Sequence, residues 1–185
     1  FFHSGDARDK KMHLNFRSQL RSGWTAGVRF LVETFGYDPS YYDGLYRIEA
    51  PRAGLPSDTL AFTGTPRIYN LDYMISAGTP KLRFVTFNAV YIHGGDEDFY
   101  EWSGSQLDYL SLTADLRPSQ QLRIGATYLL IDHTRNTDHS RVDRVRDPRL
   151  RMEYQLTRNL VVRVIGEYRA SQVDVLRDGP RMLAQ

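Results

Sequence analysis

The chain has 185 residues, no cysteine and a formal net charge of +2, with Arg far outnumbering Lys. The missing cysteines exclude a disulfide scaffold, a thiolate metal site and a cysteine nucleophile together, and a small mixed charge without a recognised module argues against nucleic acid as a partner. No run of about 18 apolar residues occurs, so a transmembrane helix is excluded; a mean hydropathy of −0.48 still fits a membrane β-barrel, whose alternating strands hide their apolar half from an average.

The opening residues Phe1-Phe2-His3 show neither a basic n-region nor an apolar h-region, so no signal peptide is expected within this piece. Residues 11–20 then alternate: Met12, Leu14, Phe16 and Leu20 fall on one face, Lys11, His13, Asn15, Arg17 and Gln19 on the other. A period of two over about ten residues predicts a β-strand with two unlike faces. After Arg21-Ser22-Gly23 the pattern resumes, with Trp24, Ala26, Val28, Phe30 and Val32 against Thr25, Gly27, Arg29 and Glu33. Both runs keep their apolar residues at even numbers, which suits a hairpin pairing Leu20 with Trp24 and a left-handed Gly23.

The unit recurs three times. Tyr69, Leu71, Tyr73 and Ile75 alternate up to Gly78-Thr79-Pro80, followed by Val85, Phe87, Ala89 and Tyr91. Leu110, Leu112, Ala114 and Leu116 precede a turn at Pro118-Ser119-Gln120, then come Leu122, Ile124, Ala126, Tyr128 and Leu130. Leu150, Met152, Tyr154 and Leu156 lead to Thr157-Arg158-Asn159, where Asn159 is expected to take the left-handed role, and to Leu160, Val162, Val164 and Tyr168. The expected fold is therefore all-β: an antiparallel up-and-down meander of about eight long amphipathic strands, part of a transmembrane barrel.

Between hairpins the connections 35–66, 93–104 and 132–148 read as long polar loops, so tight turns and long loops alternate as in outer-membrane barrels. Ring placement agrees. Tyr69, Tyr91, Tyr128 and Tyr168 all lie on the apolar face at the long-loop end, where a girdle tyrosine keeps its ring in hydrocarbon and its hydroxyl in water. The opposite face carries Arg17, Arg29, Glu33, Arg123, Arg151, Glu153, Arg163 and Glu167, the residues expected to line a wet lumen. Within it, Arg29 and Glu33 on one strand, Arg151 and Glu153 on another and Arg163 and Glu167 on its partner are expected to build Arg–Glu ladders between cross-strand neighbours.

Residues 1–185 are expected to form a single barrel segment. The tail 171–185 reads as one more loop and ends on Gln185 rather than on an aromatic strand, so the chain is expected to be a fragment with further strands outside it. Eight strands could also close on themselves around a filled lumen.

No chemistry-bearing set is legible. Gly94-Gly95-Asp96-Glu97-Asp98 could attract a hard cation but lacks EF-hand spacing and reads as a solvated loop. His3, His13, His93, His133 and His139 are scattered without zinc-hydrolase spacing. No nucleophile elbow or phosphate loop occurs. No enzyme, metal or cofactor is expected. The arginines of 133–149, namely Arg135, Arg141, Arg144, Arg146 and Arg149, suit contact with lipopolysaccharide as well as internal pairing with Asp138, Asp143 and Asp147.

Gly23-Trp24 with 28–35, Asp147-Pro148-Arg149-Leu150-Arg151, and Tyr154-Gln155-Leu156-Thr157-Arg158-Asn159-Leu160 through Val164-Ile165-Gly166-Glu167-Tyr168 resemble a family of large bacterial outer-membrane-type barrels of unassigned function. Its members commonly carry an N-terminal domain similar to family-9 carbohydrate-binding modules, which is not present here. The resemblance implies a barrel in the bacterial outer membrane, with lipid bilayer and lipopolysaccharide as surroundings and glycan or a small polar solute as ligand. It brings no functional residues with it. The competing expectation is a soluble carbohydrate-binding β-sandwich.

Overall fold

Side-chain alternation becomes a sheet only if neighbouring strands agree on register, and here they do. The computed structural model describes residues 7–38, 46–48, 59–61, 67–175, 177–178 and 181–184. They form β1 (Asp9–Gln19), β2 (Thr25–Gly36), β3 (Tyr46–Ile48), β4 (Thr59–Ala61), β5 (Arg67–Gly78), β6 (Val85–Asp98), β7 (Ser103–Leu116), β8 (Leu122–Arg135), β9 (Arg141–Thr157), β10 (Leu160–Glu167), β11 (Ala170–Val173), β12 (Arg177–Asp178) and β13 (Arg181–Ala184). No helix occurs among the described residues. The main sheet is a nine-stranded antiparallel meander in the order β1-β2-β5-β6-β7-β8-β9-β10, with β11 continuing alongside β9. It is open: among the described residues β1 and β10 are its edges and do not pair with each other.

The register carries one face across the whole sheet. Phe16 pairs with Val28, Val28 with Ile75, Ile75 with Tyr91 and Tyr91 with Leu110. Leu110 then pairs with Leu130, while Ile124 pairs with Met152 and Met152 with Val164. Even positions of the first, third and fourth hairpins thus share a face with odd positions of the second. The opposite face is concave. Lys11 on β1 reaches Glu97 on β6 at 3.9 Å although two strands intervene, a span of about 14 Å in a flat sheet.

Turn chemistry explains the four tight connections. Leu20 N donates to Trp24 O (2.8 Å) and Gly23 stands at φ 84, as the hairpin pattern requires. Thr79 Oγ1 accepts from Phe87 N (2.9 Å), and Ser119 Oγ accepts from Gln121 N (3.2 Å) and Leu122 N (3.1 Å). Asn159 departs from expectation. Positive φ outside glycine occurs, among the described residues, only at Trp102 and His139. A register shift between Leu160 and Val161 takes up the irregularity at the fourth turn instead.

Two of the three expected long loops are strand. Residues 93–98 and 103–104 extend β6 and β7, closed by 99–102; residues 132–135 and 141–148 extend β8 and β9, closed by 136–140. Backbone pairing across the sheet overrides a local composition that looks like loop. Only 35–66 remains a long connection. Of it, Tyr46–Ile48 and Thr59–Ala61 are short strands, and most of the rest lies outside the described residues. The tail is not one loop either: Ala170–Val173 pairs with β9, and β12 and β13 join β3 and β4 in a four-stranded sheet. His3 lies outside the described residues.

Gly94 marks the tightest point of the sheet. It holds φ 148, and a Cβ there would collide with Leu71 O and Asp72 Cα, whereas one on Gly166 would meet nothing within 4 Å. Gly94→Ala is therefore expected to weaken β5–β6 pairing by several kcal/mol and Gly166→Ala to be nearly silent. Urea titration of the refolded chain in detergent checks both.

Candidate functional site

The sheet is inside out. Buried apolar side chains among the described residues are Leu31, Phe35, Tyr37, Ile68 and Val142, while the buried polar set is larger and includes Glu33, Asn70, Asp72, Glu101, Arg135 and Asp143. The convex face exposes Met12, Leu14, Phe16, Val28, Phe30, Val32, Leu71, Ile75, Leu150, Met152 and Val164. Each large apolar side chain left in water forgoes about 1.5–3 kcal/mol, and contiguous apolar surface on this scale marks an interaction face.

That face changes character at the tyrosines. Tyr128 pairs with Pro148, and Tyr168 N donates to Pro148 O, which puts both rings on one row. Tyr91 lies two residues nearer the loop end than Ala89, whose row runs through Leu112 to Tyr128; Tyr69 lies further along still, 79 % exposed. Just beyond, the same convex face turns charged. Tyr91 Oη donates to Asp108 (2.5 Å), His93 Nδ1 sits 2.9 Å from that carboxylate, and Asp132 takes Arg141 (3.2 Å) and Arg144. Arg146 stands exposed between the two zones.

All eight expected lumen residues fall on the concave face, and their ion pairs are cross-strand apart from Arg151 with Glu153 on β9. Arg163 Nε meets Glu153 at 2.8 Å, directly opposite it in register, and Arg151 approaches the same carboxylate at 3.9 Å. Glu167 pairs with Arg149 (3.5 Å), Arg123 with Asp115 (3.5 Å), Arg29 with Asp72 (3.8 Å) and Glu33 with Lys11 (2.7 Å). Arg163 with Glu153 is a rung of the expected cross-strand Arg–Glu ladder between β9 and β10, whereas Arg29 and Glu33 take Asp72 and Lys11 as cross-strand partners. Arg17 lines an open hollow with Asn15, Gly27, Ser76 and Asn88.

At the loop end the concave face closes into a polar network. His133 holds Asp143 (Nδ1–Oδ1 2.6 Å) and Asp96 (Nε2–Oδ2 3.6 Å). Arg135 forks onto both oxygens of Glu101 and also reaches Ser140 Oγ, Arg141 O and Val175 O. Both partners are buried, so removing one would leave the other charge unpaired at a cost of about 3–5 kcal/mol. Beside them Phe35, Tyr37, Phe99 and Trp102 stack edge to face, and Tyr37 Oη donates to Asp98 O (3.0 Å) and Ser103 O (2.6 Å). Asp96, Glu97 and Asp98, expected in a solvated loop, are instead strand residues of this network. Among the described residues no group of three or more His, Cys, Asp and Glu has the arrangement of a metal site.

The network sets unusual charge states. Burial opposes the charge on His133, but hydrogen bonds to Asp143 and Asp96 outweigh it and push its pKa up to about 10. Burial, then the neighbouring Asp96 and Glu33, pushes Glu97 up to about 9, and burial raises Asp98 to about 6. Asp96 is lowered: burial would raise it, but His133 and Glu97 win.

No family model, curated protein or solved structure matches the chain. What it does has to be read from its own two faces.

The folded state holds the His133 proton beyond the ordinary imidazole range of about 6.5. This contribution to stability is complete below about 6.5 and is lost as pH rises through about 10; Glu97, also raised, acts in the same direction. Urea midpoints followed by Trp102 fluorescence in a Trp24→Phe background are expected to fall across that window, with His133→Gln flattening the slope.

Proposed function

We propose that this chain is a segment of a bacterial outer-membrane β-barrel, its convex face against lipid and its concave face lining a wet lumen. The observation that carries the proposal is the inverted burial: aliphatic and aromatic side chains exposed on β1, β2, β5, β6, β9 and β10, with Glu33, Asp72 and Arg135 buried behind them. In water that arrangement is an aggregation surface; in hydrocarbon it is the ordinary one. The row of Tyr128 and Tyr168, with Tyr91 one step beyond it, and the charged zone that follows fit a hydrocarbon edge followed by headgroups.

In a bilayer the open edges need partners, since unpaired backbone N–H and C=O groups are not tolerated in hydrocarbon. Closure by further strands or by β1 against β10 meets that need. The ladders around Glu153 and Asp115 suit a lumen that passes or holds small polar solutes, and the loop end offers a recognition surface for glycan or lipopolysaccharide. A soluble carbohydrate-binding sandwich needs a second sheet over the apolar face. The other sheet among the described residues has strands of only two to four residues.

Folding into lipid vesicles followed by gel mobility with and without heating tests the proposal, with a heat-modifiable band expected and its absence favouring the sandwich. Val164, 54 % exposed on the convex face, and Arg163, beside it on the concave face, give the sharper comparison. Arg at mid-bilayer costs about 2–4 kcal/mol, so Val164→Arg is expected to impair vesicle folding far more than Arg163→Val. Equal tolerance would mean that the faces are wrongly assigned.

A further inference from the structure

We propose that the turn end of the sheet is a binding surface for anionic phospholipid headgroups, built from Arg21, Lys81, Arg83, Arg117 and Arg158; this rests on the lipid-facing reading above. The segments joining the strands there, 20–24, 79–84, 117–121 and 158–159, contain these five cations and no Asp or Glu. In a chain with 24 basic and 22 acidic residues, such segregation is a polarisation of the molecule rather than a reflection of its composition.

The turns form one continuous rim. A Cβ on Gly23 would sit 3.0 Å from Pro80 Cβ, Arg117 N donates to Phe84 O (2.7 Å), and Gln155 N donates to Gln121 O (2.9 Å). All five cations are exposed, and none makes an ion pair among the described residues. The loop end differs: Arg135, Arg141, Arg144 and Lys11 each meet a carboxylate.

The rim also borders the apolar face. Leu20, Trp24, Leu82, Phe84, Leu156 and Leu160 are all exposed beside the cations, and Arg83 lies over the Phe84 ring at 4.8 Å. Long basic side chains with stems on apolar surface and heads at its edge have the geometry of residues that snorkel to headgroups. Their attraction to an anionic lipid surface is additive over cations and confined to a screening length. An acidic protein would satisfy the charge but not the apolar border.

Trp24 supplies the probe. In the full chain carrying Trp102→Phe, Trp24 is the remaining tryptophan. Its quenching by brominated phosphatidylglycerol is compared with that by brominated phosphatidylcholine in mixed vesicles. The expected result is a preference for the anionic lipid of about threefold or more at low salt, lost in about 1 M salt, where screening acts within about 3 Å. The preference should vanish when all five cations are changed to Gln and survive when the four arginines are changed to Lys. Equal quenching by the two lipids, or a preference indifferent to the Gln substitutions, would overturn the headgroup surface while leaving the lipid-facing reading intact. Quenching by neither lipid would overturn that reading and this one with it.

Discussion

A strand repeats every two residues, and an antiparallel partner pairs residue with residue, so one choice of register decides which face every side chain of a sheet occupies. Here that choice is made identically at each successive pairing from β1 to β10. A slip by one residue at any pairing would put Arg or Glu among Leu and Val on every strand beyond it. The turns guard against this. The hydrogen bond from Leu20 N to Trp24 O, with Gly23 left-handed, fixes the first hairpin, and the serine and threonine turn bonds fix the next two. Everything else, including the apolar convex face, the arginine–carboxylate ladders and the basic rim, follows from the shared register.

The two faces are stabilised differently. The concave face pairs many of its charges internally: Glu153 serves two arginines, and Glu101 and Arg135 are buried together. The convex face has no partner among the described residues over most of its length, and its exposed Val, Leu and Phe gain only when water is replaced by hydrocarbon. Stability of this sheet is therefore conditional on its surroundings, and the apolar half is the conditional part.

The sequence made the hairpins legible because their signals were local. Alternation from Met12 to Leu20 and from Trp24 to Val32, with Gly23 between, contains the strand, its face and its turn in one short stretch. The strand extensions were not legible. Gly94-Gly95-Asp96-Glu97-Asp98 has no apolar alternation and reads as loop, and it is held as strand by β7, whose Gln106 and Ser105 lie opposite Gly95 and Asp96. Neither was the loop-end network, since Glu101 and Arg135 stand 34 residues apart and nothing local couples them. The charge ladders were half legible: the face of Arg163 and Glu167 follows from parity, but their partners follow from register across strands.

The central claim is that alternate residues of each strand see hydrocarbon and water, and the absence of cysteine makes it directly measurable. Single cysteines placed at each position from 150 to 155 of β9 and carrying a nitroxide can be exposed, in vesicles, to oxygen, which concentrates in hydrocarbon, and to a nickel chelate, which stays in water. Accessibility is expected to alternate with a period of two. Oxygen should dominate at Leu150, Met152 and Tyr154, and nickel at Arg151, Glu153 and Gln155. Nickel accessibility at all six positions, or the opposite phase, would contradict the account.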